Sequence, residues 1–360
     1  MPRTDCCAKC EKFRIQITNA LTEDEKLTAN VNFGNHLAVA QREREHYQEA
    51  TRKAKDELTL SPDLGTPGAH AACSSDLRCV HYTFDYAQQV TLPCQSRQVG
   101  PLYFKVPYRV QLFGICNEAV PLQTNYLFGE EDTIGPNGTK SHGPNSVVSC
   151  LHHFFSEHGL GEKKCCLHAD NCAGQNKNKT MLAYLSWRTI VGLHEDIELS
   201  FMVAGHTRCL VDGCFGMVKR KYRRSDCDTI SELAQVVNES AKCNKAQLVR
   251  NQTTRDMAVK WYSWDTHLGQ FFKPLKGISK FHHFEFSKKK PGYVLAREHA
   301  DGEKVDICLV KNVPDLAAFT KDALPPILVP PGITAERKNY LWTQVREYCR
   351  DPRLMDPILQ

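Results

Sequence analysis

From Val80 to Ser240 the apolar residues switch between the two-residue period of strands and the 3.6-residue period of helices. The order is strand, strand, strand, helix, strand, helix, strand, helix, with another helical stretch after it. Val80-His81-Tyr82-Thr83-Phe84-Asp85 is β-branched and aromatic, and Pro93 stops it. Leu102 to Ile115 gives one long strand or a strand pair, and Asn125 to Glu131 a third strand. Helical spacing begins at Pro144, a favoured first-turn residue, and Val147, Val148, Leu151, Phe154 and Phe155 form one stripe as far as Gly159. Lys164 to Asp170 is a short buried strand, Lys177 to Gly192 an amphipathic helix and Ile197 to Ala204 a further strand, with helices over Val211 to Arg224 and Thr229 to Ser240.

That order is the one a ribonuclease-H-like α/β core requires: a mixed sheet flanked by helices. Four regions follow. Residues 1–60 form a cysteine-containing helical segment. Its helix, Asn32 to Leu58, alternates charges and has few apolar positions, so it is expected to be exposed or arm-like. Residues 61–78, rich in Pro, Gly, Ala and Ser, form a linker. The core spans 79–245. Residues 246–360 form a β-rich extension ending in a helix at Glu336 to Tyr348, and Trp261, Trp264, Phe271 and Phe272 point to some buried surface there.

No stretch approaches the roughly 18 consecutive apolar residues of a membrane span, and the polar start has no apolar signal core, so an intracellular, soluble, membrane-free protein is expected. The 17 cysteines are scattered through strands and helices, which reads as reduced thiols. The net charge is only +5, but Lys219, Arg220, Lys221, Arg223 and Arg224 form a dense basic run, and Lys288, Lys289 and Lys290 another. Such runs suit a polyanion such as the DNA backbone or a nuclear import receptor, or are simply solvated helix faces.

Two-metal phosphoryl transfer needs acidic side chains converging from separate elements, because two Mg2+ or Mn2+ ions must clamp the attacking and leaving oxygens. Asp85 lies in the first strand, Asp170 at the end of the fourth and Asp212 at the start of the helix after the fifth. The first and fourth strands of a ribonuclease-H-like sheet are neighbours, so Asp85 and Asp170 are expected to meet at one edge of the core, with Asp212 reaching in. Taken singly, Asp212 also fits a helix cap and Asp170 a turn-former; the joint placement makes the case for metal. Around them, His206 is positioned to contact a phosphate or order a water, or else to bond the sheet end. Asn171, Gln175 and Asn176 offer amides to a phosphate or a metal-bound water, or cap the turn.

The segments Leu167–Asn178 (LHADNCAGQNKN) and Phe201–Lys219 (FMVAGHTRCLVDGCFGMVK) resemble those of a large set of transposon-derived proteins in animal genomes. The likeness extends to Phe84–Gln89 with Pro93 and to Gly143–Cys150, and it covers about Val80 to Lys221. It implies a transposase/integrase-type DDD/DDE nuclease domain acting on DNA, with an acid at each of the three positions. Because many relatives with this core use a glutamate further along the chain, Glu232 is the reserve third ligand. The resemblance also implies a homo-oligomer. Such proteins usually carry a DNA-reading module ahead of the core, and from the stretch before Val80 that module is expected to be reduced, truncated or absent.

Cys7-x-x-Cys10 has zinc-knuckle spacing, and His36 and His46 lie downstream, so a Cys2His2 site for Zn2+ is one expectation; free cysteines near a mobile terminus are the alternative. Three functions therefore stand at this point: a metal-dependent nicking or strand-transfer enzyme, a domesticated and catalytically inactive DNA- or protein-binding descendant, and a zinc-dependent interaction module.

Overall fold

The structure, a computed structural model, describes residues 7–60, 73–74, 79–97, 99–312 and 319–351. The linker expected over 61–78 lies outside the described residues except at 73–74. In chain order the elements are α1 (Ala8–Asn19), α2 (Glu23–Leu60), β1 (Cys79–Tyr86), β2 (Val90–Leu92), β3 (Tyr108–Asn117), β4 (Leu122–Gly129), α3 (Pro144–Glu157), β5 (Lys164–Ala169), α4 (Lys179–Ile190), β6 (Asp196–Phe201), α5 (Leu210–Tyr222), α6 (Ile230–Ser240) and β7 (Asn244–Leu248). They continue with β8 (Trp261–Tyr262), α7 (Trp264–Leu268), β9 (His283–Ser287), β10 (Tyr293–Arg297), β11 (Val305–Cys308), β12 (Ile327–Leu328) and α8 (Ala335–Gln344).

β1 is central. It pairs antiparallel with β3 (Tyr82 opposite Asn117) and parallel with β5 (Phe84 opposite Ala169). β4 continues antiparallel from β3, and β6 continues parallel from β5. The inner order β4-β3-β1-β5-β6 is that of the ribonuclease-H-like fold expected from the sequence. Beyond it, β7 adds parallel to β4, and β9, β10 and β11 add antiparallel to the β6 edge. The boundary drawn at residue 245 thus falls inside β7, and strands of the expected extension complete the same sheet.

Side chains alternate across the sheet, so each face has its own partners. Phe84, Phe113, Tyr126, Leu167 and Phe201 share one apolar cluster with Leu151 of α3, Trp187 of α4 and Trp264 of α7. On the other face Leu112, Cys116 and Leu127 pack with Phe215 of α5, Leu233 of α6 and Leu341 of α8. Pro144 and Asn178 start α3 and α4, the latter by accepting from the amides of Thr180 and Met181.

The long helix departs from expectation. α2 begins nine residues before Asn32, after α1, and it docks on the sheet instead of standing free. Its charged positions meet a polar strip: His81, His168, Glu198, Ser200 and His283 occupy the face of β1, β5, β6 and β9 opposite the apolar cluster. Glu43, 2% exposed, accepts from His283 at 2.7 Å, and Thr51 bonds His81 at 3.0 Å. An interface built on polar contacts leaves no apolar stripe for periodicity to detect.

The strand expected from Leu102 starts only at Tyr108. Pro101 and Pro107 lack ladder donors, and a 3-10 turn fills Gly100–Phe104.

Candidate functional site

Asp85 and Asp170 project from neighbouring parallel strands, each one residue beyond the Phe84–Ala169 register pair. Asp212 sits in the first turn of α5, which packs beside β1 and β3. Asp85 feels the other two carboxylates: burial, then the charge of Asp170, and further the charge of Asp212 push its carboxyl up to about 7, against opposing contributions from the Tyr86 amide and Lys219.

Each acid is also held locally. Asp85 Oδ1 accepts from the Tyr86 amide at 2.7 Å. Asp170 Oδ1 accepts from Asn176 Nδ2 at 2.5 Å and from the Cys172 amide at 3.2 Å. Asp212 Oδ2 accepts from the Cys209 amide at 3.2 Å, as the third residue of a capping box. Among the described residues, three groups of His, Cys, Asp and Glu bring their ligand atoms within 4.8 Å of one another, and the aspartate trio is not one of them.

The supporting residues divide. Asn176 is buried and orients Asp170, while Asn171 and Gln175 lie half-buried on the same turn. That turn closes on itself through Asn178 Nδ2, which donates to the carbonyls of Ala173 and Gln175. His206 does not face the aspartates: its Nε2 lies 3.2 Å from Cys10 Sγ and 3.2 Å from His36 Nε2. Glu232 is a structural post. Its Oε2 accepts from the amides of Asp228 and Thr229 in the cap of α6, and its Oε1 takes Arg350 at 2.6 Å.

In the basic run, Lys219 is half-buried and its charge opposes the rise of the Asp85 carboxyl, and Arg220, Arg223 and Arg224 are exposed. Lys221 is engaged by Glu239 at 3.0 Å.

The Cys-x-x-Cys segment meets the core. Cys7, Cys10, His36 and His206 form one group of four ligand atoms, with Cys7 Sγ 3.2 Å from His36 Nε2. The sequence offered Cys7, Cys10 and His36; the fourth member comes from the loop after β6. His46, the other downstream histidine, instead bonds Glu198 at 3.2 Å.

Two further residues near the acids carried no sequence signal. Glu118, buried after β3, accepts from Thr83 Oγ1 at 2.7 Å and from the Leu210 amide at 3.3 Å, two residues along β1 from Asp85. Burial raises its carboxyl above the usual range, partly offset by the Thr83 and Tyr47 hydroxyls. Lys177, inside the Asp170 turn, is almost fully buried over the Phe201 ring and donates to the Ser279 carbonyl, and burial brings its ammonium down to about 8.

Residues 136–301 are similar to a family described as a domain of unknown function (DUF7869). The matched span holds Asp170, His206 and Asp212, whereas Asp85 and the two N-terminal cysteines lie outside it. No curated protein and no solved structure matches the chain.

Proposed function

We propose that the chain is a transposase-derived, metal-dependent phosphoryl transferase that nicks DNA or transfers a strand, with Asp85, Asp170 and Asp212 as its metal-binding carboxylates. The observation that carries this reading is the placement of Asp85 and Asp170 each one residue beyond the Phe84–Ala169 register pair of adjacent parallel strands, with Asp212 in the first turn of the helix packed beside β1. An all-oxygen, triply acidic set fits hard divalent cations.

Mg2+ or Mn2+ held there would supply charge stabilisation on the reacting phosphate and make a hydroxyl nucleophile available near neutral pH. The chain's own groups do the rest. Asn176 fixes the Asp170 carboxylate, and the α5 cap fixes Asp212. Lys219 stands by Asp85, while Arg220, Arg223 and Arg224 offer phosphate contacts that position a duplex without reading its sequence. DNA is thus the partner, the nucleus the expected compartment, and a homo-oligomer the expected working form.

The test is conversion of supercoiled plasmid to nicked or linear forms by the purified chain with Mn2+ and with Mg2+. The second reading, an inactive DNA-binding descendant, draws on Asp212, whose carboxylate already serves as a helix cap. Salt-sensitive DNA binding with no cleavage under either ion would favour it.

A further inference from the structure

We infer that Cys7, Cys10, His36 and His206 bind one zinc ion in a closed tetrahedral site that staples the N-terminal helical pair to the loop before Asp212.

The geometry is that of a coordination shell. Zinc bonds sulfur at about 2.3 Å and imidazole nitrogen at about 2.0–2.1 Å, so tetrahedral ligand atoms stand roughly 3.3 to 3.8 Å apart. Here Cys7 Sγ to His36 Nε2, Cys10 Sγ to His206 Nε2 and His36 Nε2 to His206 Nε2 are each 3.2 Å, and all four ligand atoms lie within 4.8 Å. They come from segments with no local reason to meet, since His36 and His206 are 170 residues apart in the chain. Cys7 caps α1 and Cys10 lies in its first turn, so the three-residue spacing puts both thiols on one face. Helix N-termini favour thiolates, and two thiolates neutralise a divalent ion.

A second observation is independent of the ligand atoms. Gly205, just before His206, has φ of 76°, and a Cβ there would sit 2.5 Å from Cys7 Cα and 2.6 Å from Cys7 N. The loop is pressed onto the backbone of the first cysteine, a closeness only glycine permits.

The staple would add to a thin apolar contact. α1 buries only Cys10, and the buried residues of α2 are Ala29, Ala40, Glu43 and Ala54. That is little apolar area to hold 12- and 38-residue helices in place. Four protein ligands leave no open position, so this is a structural site and not a hydrolytic one.

The experiment is metal analysis of the full chain purified without chelator, followed by exchange with Co2+. The expected result is about one zinc per chain and, with Co2+, the visible absorption of a tetrahedral two-thiolate site. Cys10→Ser and His206→Ala should each lose stoichiometric zinc. His206→Cys should retain it and strengthen the thiolate-to-cobalt band, which separates ligation from misfolding. Wild-type chain that takes up no stoichiometric zinc overturns the inference. So does zinc retained in both Cys10→Ser and His206→Ala, which would place the ion at His46, Glu198 and His283 or at Glu162, Cys165 and His194.

Discussion

Asp85 and Asp170 stand side by side at the same end of two parallel strands, and the charge of Asp170 is, after burial, the strongest influence raising the Asp85 carboxyl. A sheet that ends two adjacent strands in aspartate stores repulsion at its edge, and a divalent cation is the natural means of relieving it.

The first prediction concerns pH without divalent ions. Asp85 rises from an ordinary 3.8 to about 7 in the folded chain. The native state therefore holds this proton longer than the unfolded chain. The contribution of Asp85 is full below about pH 4 and is lost as pH rises through about 7. Thermal unfolding from pH 4 to 8 should show wild type losing stability relative to Asp85→Asn, by roughly 2 kcal/mol at pH 8 after allowing for partial exposure. Mn2+ should remove that difference. Parallel curves for the two proteins would mean that Asp85 is not strained.

A second prediction concerns the docking of α2. Glu43 accepts from His283 at 2.7 Å and from the Ala300 amide at 3.0 Å. Glu43→Ala leaves the buried His283 ring and the half-buried Ala300 amide without this partner, at an expected cost of about 2–4 kcal/mol in denaturant unfolding. Hydrogen exchange should rise across residues 23–60 before it rises in β1 or β5. A loss below about 0.5 kcal/mol would show that the helix is held elsewhere.

Much of the core was legible because β1, α3, β5, α4 and β6 are long enough, or apolar enough, to carry a period. The aspartates were legible for the same reason: strand order places Asp85 beside Asp170 before any side chain is seen. What escaped was long-range. His206 reads as a phosphate or water contact from its neighbours in sequence, yet its partners are Cys10 and His36. Glu232 reads as a spare ligand, but a cap four residues long and Arg350 consume it. The polar underside of α2 has no apolar signature, so a docked helix looked like an arm.

Gly205 supplies a third prediction. Gly205→Ala forces a Cβ into the Cys7 backbone and strains a left-handed residue, so a cost of about 1–3 kcal/mol is expected. Calorimetric unfolding should show it together with weaker zinc retention against a competing chelator. Unchanged stability and zinc retention would mean that the loop does not rest on Cys7.

The basic helix end gives a fourth. Arg223 and Arg224 are exposed, whereas Lys221 is engaged by Glu239. Replacing both arginines with alanine should weaken binding to unrelated duplexes alike and reduce the salt dependence by about two phosphate contacts. Lys221→Ala should change less. Equal losses from Lys221→Ala and from the double variant, measured by fluorescence anisotropy at several salt concentrations, would remove this surface from the DNA interface.

The most direct test of the central claim is Mn2+-dependent nicking of supercoiled plasmid by wild type and by Asp170→Asn, with zinc content and unfolding temperature measured on the same preparations. Asp170→Asn keeps the shape of the side chain that Asn176 and the Cys172 amide hold. Nicking by wild type that falls at least about a hundredfold in a folded, zinc-matched variant is the predicted result. Equal nicking by the two proteins, or none by wild type under any divalent ion, would contradict an aspartate-held metal centre.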